Sequence, residues 1–328
     1  MSGRAARFFV FLPAFLPAFL AACGCGAAND AAREAEAEAE SEAEGESEPD
    51  LAPPTYGIQV PFPEIKVGAG EDFDTCYFFE LPADERVDVV RFDSAHLGYT
   101  HHFILSETTI ARDEGYQACP DLIGSFVDSK PIFPGTREQP PVAFPDGVCM
   151  QLAPHARMYM NLHLVNPTTE AVSERFVVNF EALEPGAACT PADIMAGATT
   201  NFAIPPREEH VVAFDCLLHR DMNLFAMTSH AHARLTRFTV ALWDGDVGDT
   251  IYDNDDWDEP LLEIYDDPIV NPTGFHVECA YDNRQSDETV CFGGLATDEM
   301  CTFFGYYWPA QGLVSCLPEF PIGGDCPP

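Results

Sequence analysis

The chain has 328 residues, of which 54 are acidic and only 16 are lysine or arginine, so its formal net charge is -38 at pH 7. A surface this acidic excludes nucleic acid as a favourable partner. The length exceeds what one hydrophobic core usually organises, and a hydrophobic fraction of 46% is enough to fill two.

The first 22 residues have the pattern of an export signal. Arg4 and Arg7 give a basic start, an apolar run follows over 8–20, and small residues precede Cys23. This arrangement resembles a bacterial lipoprotein signal, so we expect a signal peptide over 1–22 and lipidation of Cys23. The run is too short to remain as a membrane span. The expected location is extracytoplasmic, anchored by lipid to a bacterial membrane and exposed to the periplasm or the cell surface.

Residues 23–55 are rich in alanine and glutamate, with a glutamate at every second position from Glu34 to Glu48. Like charges at this spacing offer neither an apolar stripe nor opposite-charge pairs. We therefore expect a disordered, acidic tether.

The remaining chain alternates between polar and apolar residues in short segments, separated by proline, glycine and aspartate. With 28 prolines and 23 glycines in the chain, this pattern predicts an all-β protein of β-sandwich or jelly-roll type. A shift in composition near residue 185 divides it into two tandem domains, 56–185 and 186–328. The predicted strands cover residues 76–81, 87–92, 100–105, 158–165, 175–182, 210–216, 223–243, 275–281 and 300–308.

Twelve cysteines in an exported chain indicate disulfides. With Cys23 lipidated, eleven remain, which allows five bridges and one unpaired residue, most simply Cys25 in the tether. Spacing alone does not determine the pairing.

Residues 223–243 read as one long strand or as a pair of strands, with His230 and His232 at the centre. In a single strand these two side chains project from the same face, away from the core or into a cleft. They form a candidate chelating pair, and the alternative is two surface histidines.

Four further residues have both an ordinary and a ligand interpretation. His163 lies on the polar face of an alternating strand over 157–165, where it could simply be solvated. His101 and His102 are adjacent, so both reach one metal only if the strand is irregular there. Met300 begins an aromatic strand and could be a core residue.

The acid-rich stretch 244–258 raises the question of a calcium site. It lacks the bidentate glutamate at position twelve of an EF-hand loop, so we interpret it as a solvated hairpin tip.

Four pieces stand in order along the chain: THHFIL at Thr100, MNLHLVNPT at Met160, SHAHARL at Ser229 and DEMCTFFGYYWP at Asp298. Together they resemble the copper type II, ascorbate-dependent monooxygenases, the family of the peptidylglycine α-hydroxylating and dopamine β-monooxygenases. The likeness covers most of the exported chain, roughly 73–316. It implies two antiparallel eight-stranded jelly rolls that face each other across a solvent-filled cleft.

The resemblance also implies two copper ions per chain. One is bound by His101, His102 and His163, which requires irregular backbone at the adjacent pair. The other is bound by the catalytic set His230, His232 and Met300, and a thioether ligand favours Cu(I). The pairs Cys76–Cys119, Cys216–Cys316 and Cys279–Cys301 follow as disulfides, whereas Cys149–Cys189 and Cys291–Cys326 are guesses.

The implied activity is hydroxylation of a C–H bond by O2, with ascorbate or an equivalent donor reducing both coppers. The peptide-amidating branch of the family has an arginine where this chain has Thr228, and an asparagine and a tyrosine where it has Thr302 and Phe304. The carboxylate clamp of that branch is therefore missing. With Asn161 these residues indicate a small, more apolar substrate. The alternative function is a non-catalytic lipoprotein that stores or delivers copper.

Overall fold

A computed structural model describes residues 48–120, 128–294 and 297–316. Within these ranges the regular secondary structure consists of β-strands alone, which confirms the all-β prediction. Across the same ranges there is no helix with the length and apolar character needed to cross a membrane. The predicted signal peptide, Cys23, Cys25 and most of the tether lie outside the described residues.

The described residues form strands with the following bounds. In chain order they are β1 (Gly57–Pro61), β2 (Ile65–Val67), β3 (Asp72–Glu80), β4 (Val87–His96), β5 (Thr100–Thr108), β6 (Gly115–Gln117), β7 (Ser129–Thr136), β8 (Val142–Ala143), β9 (Val148–Leu152), β10 (Arg157–Val165), β11 (Val172–Glu174), β12 (Phe176–Ala182), β13 (Thr190–Ala198), β14 (Ala203–Ile204), β15 (Glu209–Leu217), β16 (Asn223–His230), β17 (Leu235–Trp243), β18 (Val247–Asn254), β19 (Glu263–Val270), β20 (Gly274–Asp282), β21 (Val290–Cys291), β22 (Thr302–Trp308) and β23 (Val314–Cys316).

The N-terminal half, β1 to β12, packs a five-stranded sheet in the order β6-β3-β10-β5-β7 against β1, β12, β4 and β9. Strand β10 shows how the sequence pattern places one face of this sheet in the core. Met158, Met160, Leu162 and Leu164 alternate along it and are fully buried in the core, as the sequence pattern predicted. The residues between them therefore face the opposite side of the sheet, and His163 is one of them.

The C-terminal half, β13 to β23, packs the four-stranded sheet β15-β20-β17-β18 against β13, β22 and β16. The stretch over 223–243 is a strand pair, β16 and β17, and not one long strand. Phe238, Phe275 and Phe303 are fully buried between the layers. Both halves are thus two-layer β-sandwiches, while their jelly-roll connectivity stays a prediction.

The two halves share one sheet. Strands β9 and β13 pair in parallel, which continues β1-β12-β4-β9 into β13-β22-β16-β19. Across the junction the rings of Phe144 and Phe225 lie 5.3 Å apart, and the Tyr306 hydroxyl donates to the carbonyl of Ile132 at 3.1 Å. The domain boundary predicted after residue 185 falls in the connection between β12 and β13, and the division into two domains stays a prediction.

The end of the predicted tether contacts the folded chain. The Gln59 side chain donates to the carbonyl of Leu51 at 2.9 Å, and the Asn179 amide donates to the carbonyl of Ala52 at 2.8 Å. Residues 48–55, assigned to the tether from composition, are therefore held against β1 and β12.

Four disulfides join described residues. Three are the pairs that the resemblance implied, and the fourth is one of the two guessed pairs. The other guess needs Cys326, which lies outside the described residues. The four are Cys76–Cys119, Cys149–Cys189, Cys216–Cys316 and Cys279–Cys301.

Candidate metal centre

A cavity of about 1080 Å³ lies between the two halves. Its walls contain all the residues that the sequence singled out as metal ligands, together with all four that it singled out for substrate. They are His101, His102, His163, His230, His232, Met300, Asn161, Thr228, Thr302 and Phe304.

His101, His102 and His163, the first cluster, come together because β5 is irregular. On β10, His163 pairs with His102, but the next residue pairs with Thr100, so His101 is the extra residue of a β-bulge. This confirms the irregular backbone expected there. The Nδ1 atom of His102 lies 3.2 Å from Nδ1 of His101 and 3.4 Å from Nδ1 of His163. All three rings thus offer a nitrogen to one point, with ligand atoms within 4.8 Å of one another.

Two carboxylates bind the far side of this cluster. The Nε2 atom of His163 lies 2.6 Å from Oδ1 of Asp72, and Nε2 of His101 bonds to Oδ1 of Asp258. A carboxylate accepts a hydrogen bond from Nε2–H, which leaves the Nδ1 lone pair free for a metal. The hydrogen-bond pattern therefore assigns to both rings the tautomer that a metal at Nδ1 needs.

The loop that enters β5 is held by Glu174, whose side chain is fully buried. Its carboxylate accepts hydrogen bonds from the backbone N–H groups of Leu97 at 2.7 Å, Tyr99 at 2.6 Å and Arg175 at 2.8 Å. A buried carboxylate with this many donors fixes the backbone it binds. It positions the chain immediately before His101.

The second cluster consists of His230, His232 and Met300, and it differs from the strand-based expectation. His230 is the last residue of β16, whereas His232 lies in the turn before β17. The chain leaves the strand because the N–H of His232 donates to the buried carboxylate of Glu299 at 2.9 Å. The two rings are nevertheless close, with centroids 5.4 Å apart. The idea that both project from one strand face is wrong.

Met300 is fixed in the chain by its neighbours. The Cys279–Cys301 bridge ties the next residue to β20, and the Tyr281 hydroxyl donates to the Met300 carbonyl at 2.6 Å. The preceding residue, Glu299, also binds the N–H of His232. Met300 is itself buried and lines the cavity beside His230 and His232.

The two clusters adjoin. The rings of His102 and His230, one from each half, are 5.4 Å apart in an edge-to-face contact. The resemblance implied two ligand sets facing each other across solvent, but here two of their rings are in contact across the cavity.

The histidines at this contact are neutral at neutral pH. Burial, followed by the nearby imidazole of His230, holds the pKa of His102 well below its usual value. Burial, followed by His232, lowers the pKa of His230 to about 3. Burial also lowers the pKa of His232, although the Asp298 carbonyl, which accepts from its Nδ1 at 3.0 Å, acts in the opposite direction. Neutral imidazole is the form that binds a metal.

Both donor sets fit copper. Imidazole nitrogen suits copper in either oxidation state, and a thioether sulfur is a soft ligand that selects Cu(I). Zinc would be a poor match for a set that contains methionine. The first cluster would hold one copper and the second cluster the other.

The fold and the two donor sets define a β-sandwich protein with two adjoining histidine-rich clusters on one cavity. Residues 191–322 match the family model of the copper type II ascorbate-dependent monooxygenases, C-terminal domain. This match, which includes His230, His232 and Met300, confirms over the C-terminal half the family resemblance recognised from the sequence. No curated protein matches the chain.

Sequence reasoning missed the residues that support the ligands: Asp72, Glu174, Asp258 and Glu299. Each is one of 54 acidic residues, and no spacing separates it from the acids of the surface. The stretch 244–258 was interpreted as a solvated hairpin tip. That is correct for the exposed turn at 244–246, but wrong for its end, where Asp258 contacts His101.

Proposed function

We propose that this protein is a copper-dependent monooxygenase that hydroxylates a C–H bond of a small organic substrate. The single observation that carries the proposal is the arrangement of two chemically different copper donor sets on one cavity. The family match of residues 191–322 supports the same class of reaction. Ascorbate or a similar one-electron donor would supply the electrons.

The reaction balances as R–H plus O2, two electrons and two protons, giving R–OH and water. Copper held by the two clusters would supply one-electron redox chemistry and activation of O2. The protein contributes neutral imidazoles, an anchored thioether and a cavity that both clusters share. Because a thioether favours the reduced metal, the second cluster is the proposed catalytic set that meets O2.

The walls of the cavity favour a largely apolar substrate. Phe304, Ile104 and Trp257 line it. Asn161 already donates to Sγ of Cys119 at 3.0 Å, which leaves its amide less available than the sequence suggested.

Thr302 lines the cavity, but its hydroxyl is buried and has no hydrogen-bond partner among the described residues. A hydroxyl without accessible surface offers no polar contact to a molecule in the cavity. The proposed substrate is therefore small and largely apolar.

The test is oxygen uptake by the copper-loaded protein with ascorbate, measured over a panel of small aromatic and aliphatic compounds. Met300→Leu keeps the side-chain volume but removes the sulfur. The matched control is Met227→Leu, a buried methionine in the core of the same half and outside the cavity walls. We expect compound-dependent uptake, and a product heavier by one oxygen atom, in the wild type and the control but not in Met300→Leu.

Uptake that is independent of Met300 would refute the catalytic role of the second cluster. If two coppers are retained and no compound stimulates uptake, storage or delivery of copper becomes the better explanation.

We also propose that the mature chain is extracytoplasmic and lipid-anchored at Cys23. Four disulfides among the described residues support an oxidising compartment. The mass of the N-terminal peptide tests this, because acylation at Cys23 adds the mass of the lipid chains.

A further inference from the structure

The segment that follows β18 crosses from the C-terminal half to the first cluster. Asp258 on this segment bonds to Nε2 of His101, which belongs to β5 of the N-terminal half. Beside it, the ring of Trp257 lies 5.9 Å from the ring of His101, tilted by 36°. The three-histidine set is therefore supported from both halves.

The segment is held in a defined conformation by its own hydrogen bonds. Oδ1 of Asp256 accepts from the N–H of Asp258 at 3.0 Å and from the N–H of Glu259 at 3.1 Å. At its start, the buried amide of Asn254 donates to the carbonyl of Asp256 at 2.7 Å. At its end, the Tyr252 hydroxyl donates to the carbonyl of Leu261 at 2.8 Å. The backbone that carries Asp258 is thus held in place where its side chain contacts His101.

Asp258 makes for His101 the contact that Asp72 makes for His163. In both pairs a carboxylate oxygen bonds to Nε2 while Nδ1 faces the common point. A carboxylate bound to the outer nitrogen orients the ring and raises the basicity of the nitrogen that binds the metal. The difference is that Asp72 begins β3 of the same half, whereas Asp258 is supplied by the other half.

We propose that Asp258 is a positioning residue of the three-histidine copper site and that Trp257 closes the site beside it. The site is thereby completed by the C-terminal half. This inference rests on the proposed binding of copper by the first cluster, but it does not depend on turnover.

The test uses the full chain, with Cu(II) as the probe and tryptophan fluorescence as the readout. The chain has three tryptophans, Trp243, Trp257 and Trp308. Cu(II) quenches an indole only at short range, so Trp257 should report occupancy of the first cluster. We expect quenching to be lost in Trp257→Phe and retained in Trp308→Phe. Full quenching in Trp257→Phe would overturn the placement of Trp257.

Asp258→Asn removes the carboxylate and keeps the size of the side chain. With a competing chelator present, we expect Cu(II) affinity measured by this quenching to fall roughly 10- to 100-fold. The midpoint potential of the bound copper should rise, because a less basic imidazole stabilises Cu(II) less. Asp258→Glu should recover most of the affinity, and Asp72→Asn should weaken binding in the same way.

Asp256→Asn is the matched control. It removes the same charge two residues away, and its Oδ1 can still accept the two N–H bonds of the turn, so copper affinity and potential should stay at wild-type values. Equal effects of Asp256→Asn and Asp258→Asn, or no effect of either, would overturn the proposal. Copper bound in the expected way without hydroxylation would refute the proposed function and leave this inference standing. Normal hydroxylation together with unchanged copper affinity in Asp258→Asn would refute this inference and leave the proposed function standing.

Discussion

Replacing Glu174 by glutamine should loosen the entry to β5 without changing the size of the side chain. The carboxylate of Glu174 is fully buried and accepts backbone N–H groups on both oxygens, from Leu97 and Arg175 on one and from Tyr99 on the other. Glutamine retains one acceptor oxygen and turns an NH2 group toward the remaining donor. At least one hydrogen bond to a charged acceptor is lost, and a buried N–H is left facing another donor.

The cost follows from the hydrogen bonds. A bond to a charged group contributes about 1.5–3 kcal/mol, so we expect the free energy of unfolding to fall by about 2 kcal/mol. For a folded body of this size that corresponds to a decrease in Tm of roughly 4 °C. The assay is thermal unfolding of the copper-free protein, followed by circular dichroism. Copper affinity of the first cluster should fall as well, because the loop before His101 is no longer fixed.

Glu181→Gln is the matched control for this change. Glu181 lies on β12, its side chain is 46% exposed, and its contact with Arg91 is long at 3.8 Å. We expect its Tm to stay within about 1 °C of the wild type, since exposed pairs contribute little. If Glu174→Gln unfolds at the same temperature as this control, the buried carboxylate does not hold the loop and the reasoning is refuted.

Two further predictions concern the C-terminal half. The double change Cys279→Ser and Cys301→Ser opens a loop with a sequence separation of 22 residues. It should lower the free energy of unfolding, measured by chemical denaturation, by about 3 kcal/mol, and it should release copper from the second cluster. Retention of both coppers would refute the anchoring role of this disulfide. Gly197→Ala places a methyl group against the buried ring of Phe303, which should cost about 1–3 kcal/mol. Gly294→Ala meets no atom within 4 Å and serves as its control, so equal unfolding midpoints would contradict the packing argument.

Hydrophobic alternation was enough to predict nine strand segments, but it missed others, among them β7, β13, β18 and β19. On β10 the period of two sends Leu162 into the core and His163 to the polar face, as predicted, and in the structure that face lines the cavity at His163. The bulge at His101 could not be predicted from hydrophobic alternation. Strand periodicity argued against two adjacent ligands, and only the likeness to the copper family predicted irregular backbone at that position.

Contacts between distant parts of the chain could not be predicted in this way. His232 leaves the strand because Glu299, 67 residues later, binds its N–H group. Asp258 reaches His101 across a separation of 157 residues. Nothing in the local sequence of an acidic loop distinguishes a carboxylate that meets solvent from one that meets an imidazole in the other half.

The parallel pairing of β9 with β13 has a mechanical consequence for the two clusters. Cys149 lies in β9 and Cys189 directly precedes β13, so their disulfide closes the connection between the halves at the point where the strands pair. The N–H of Thr190 also donates to the carbonyl of Gly147 at 2.8 Å. A connection clamped by a covalent bond and a shared sheet cannot act as a hinge. The separation of His102 and His230 is therefore set by a continuous β-sheet, and under the proposed function a substrate would reach both clusters without the halves moving apart.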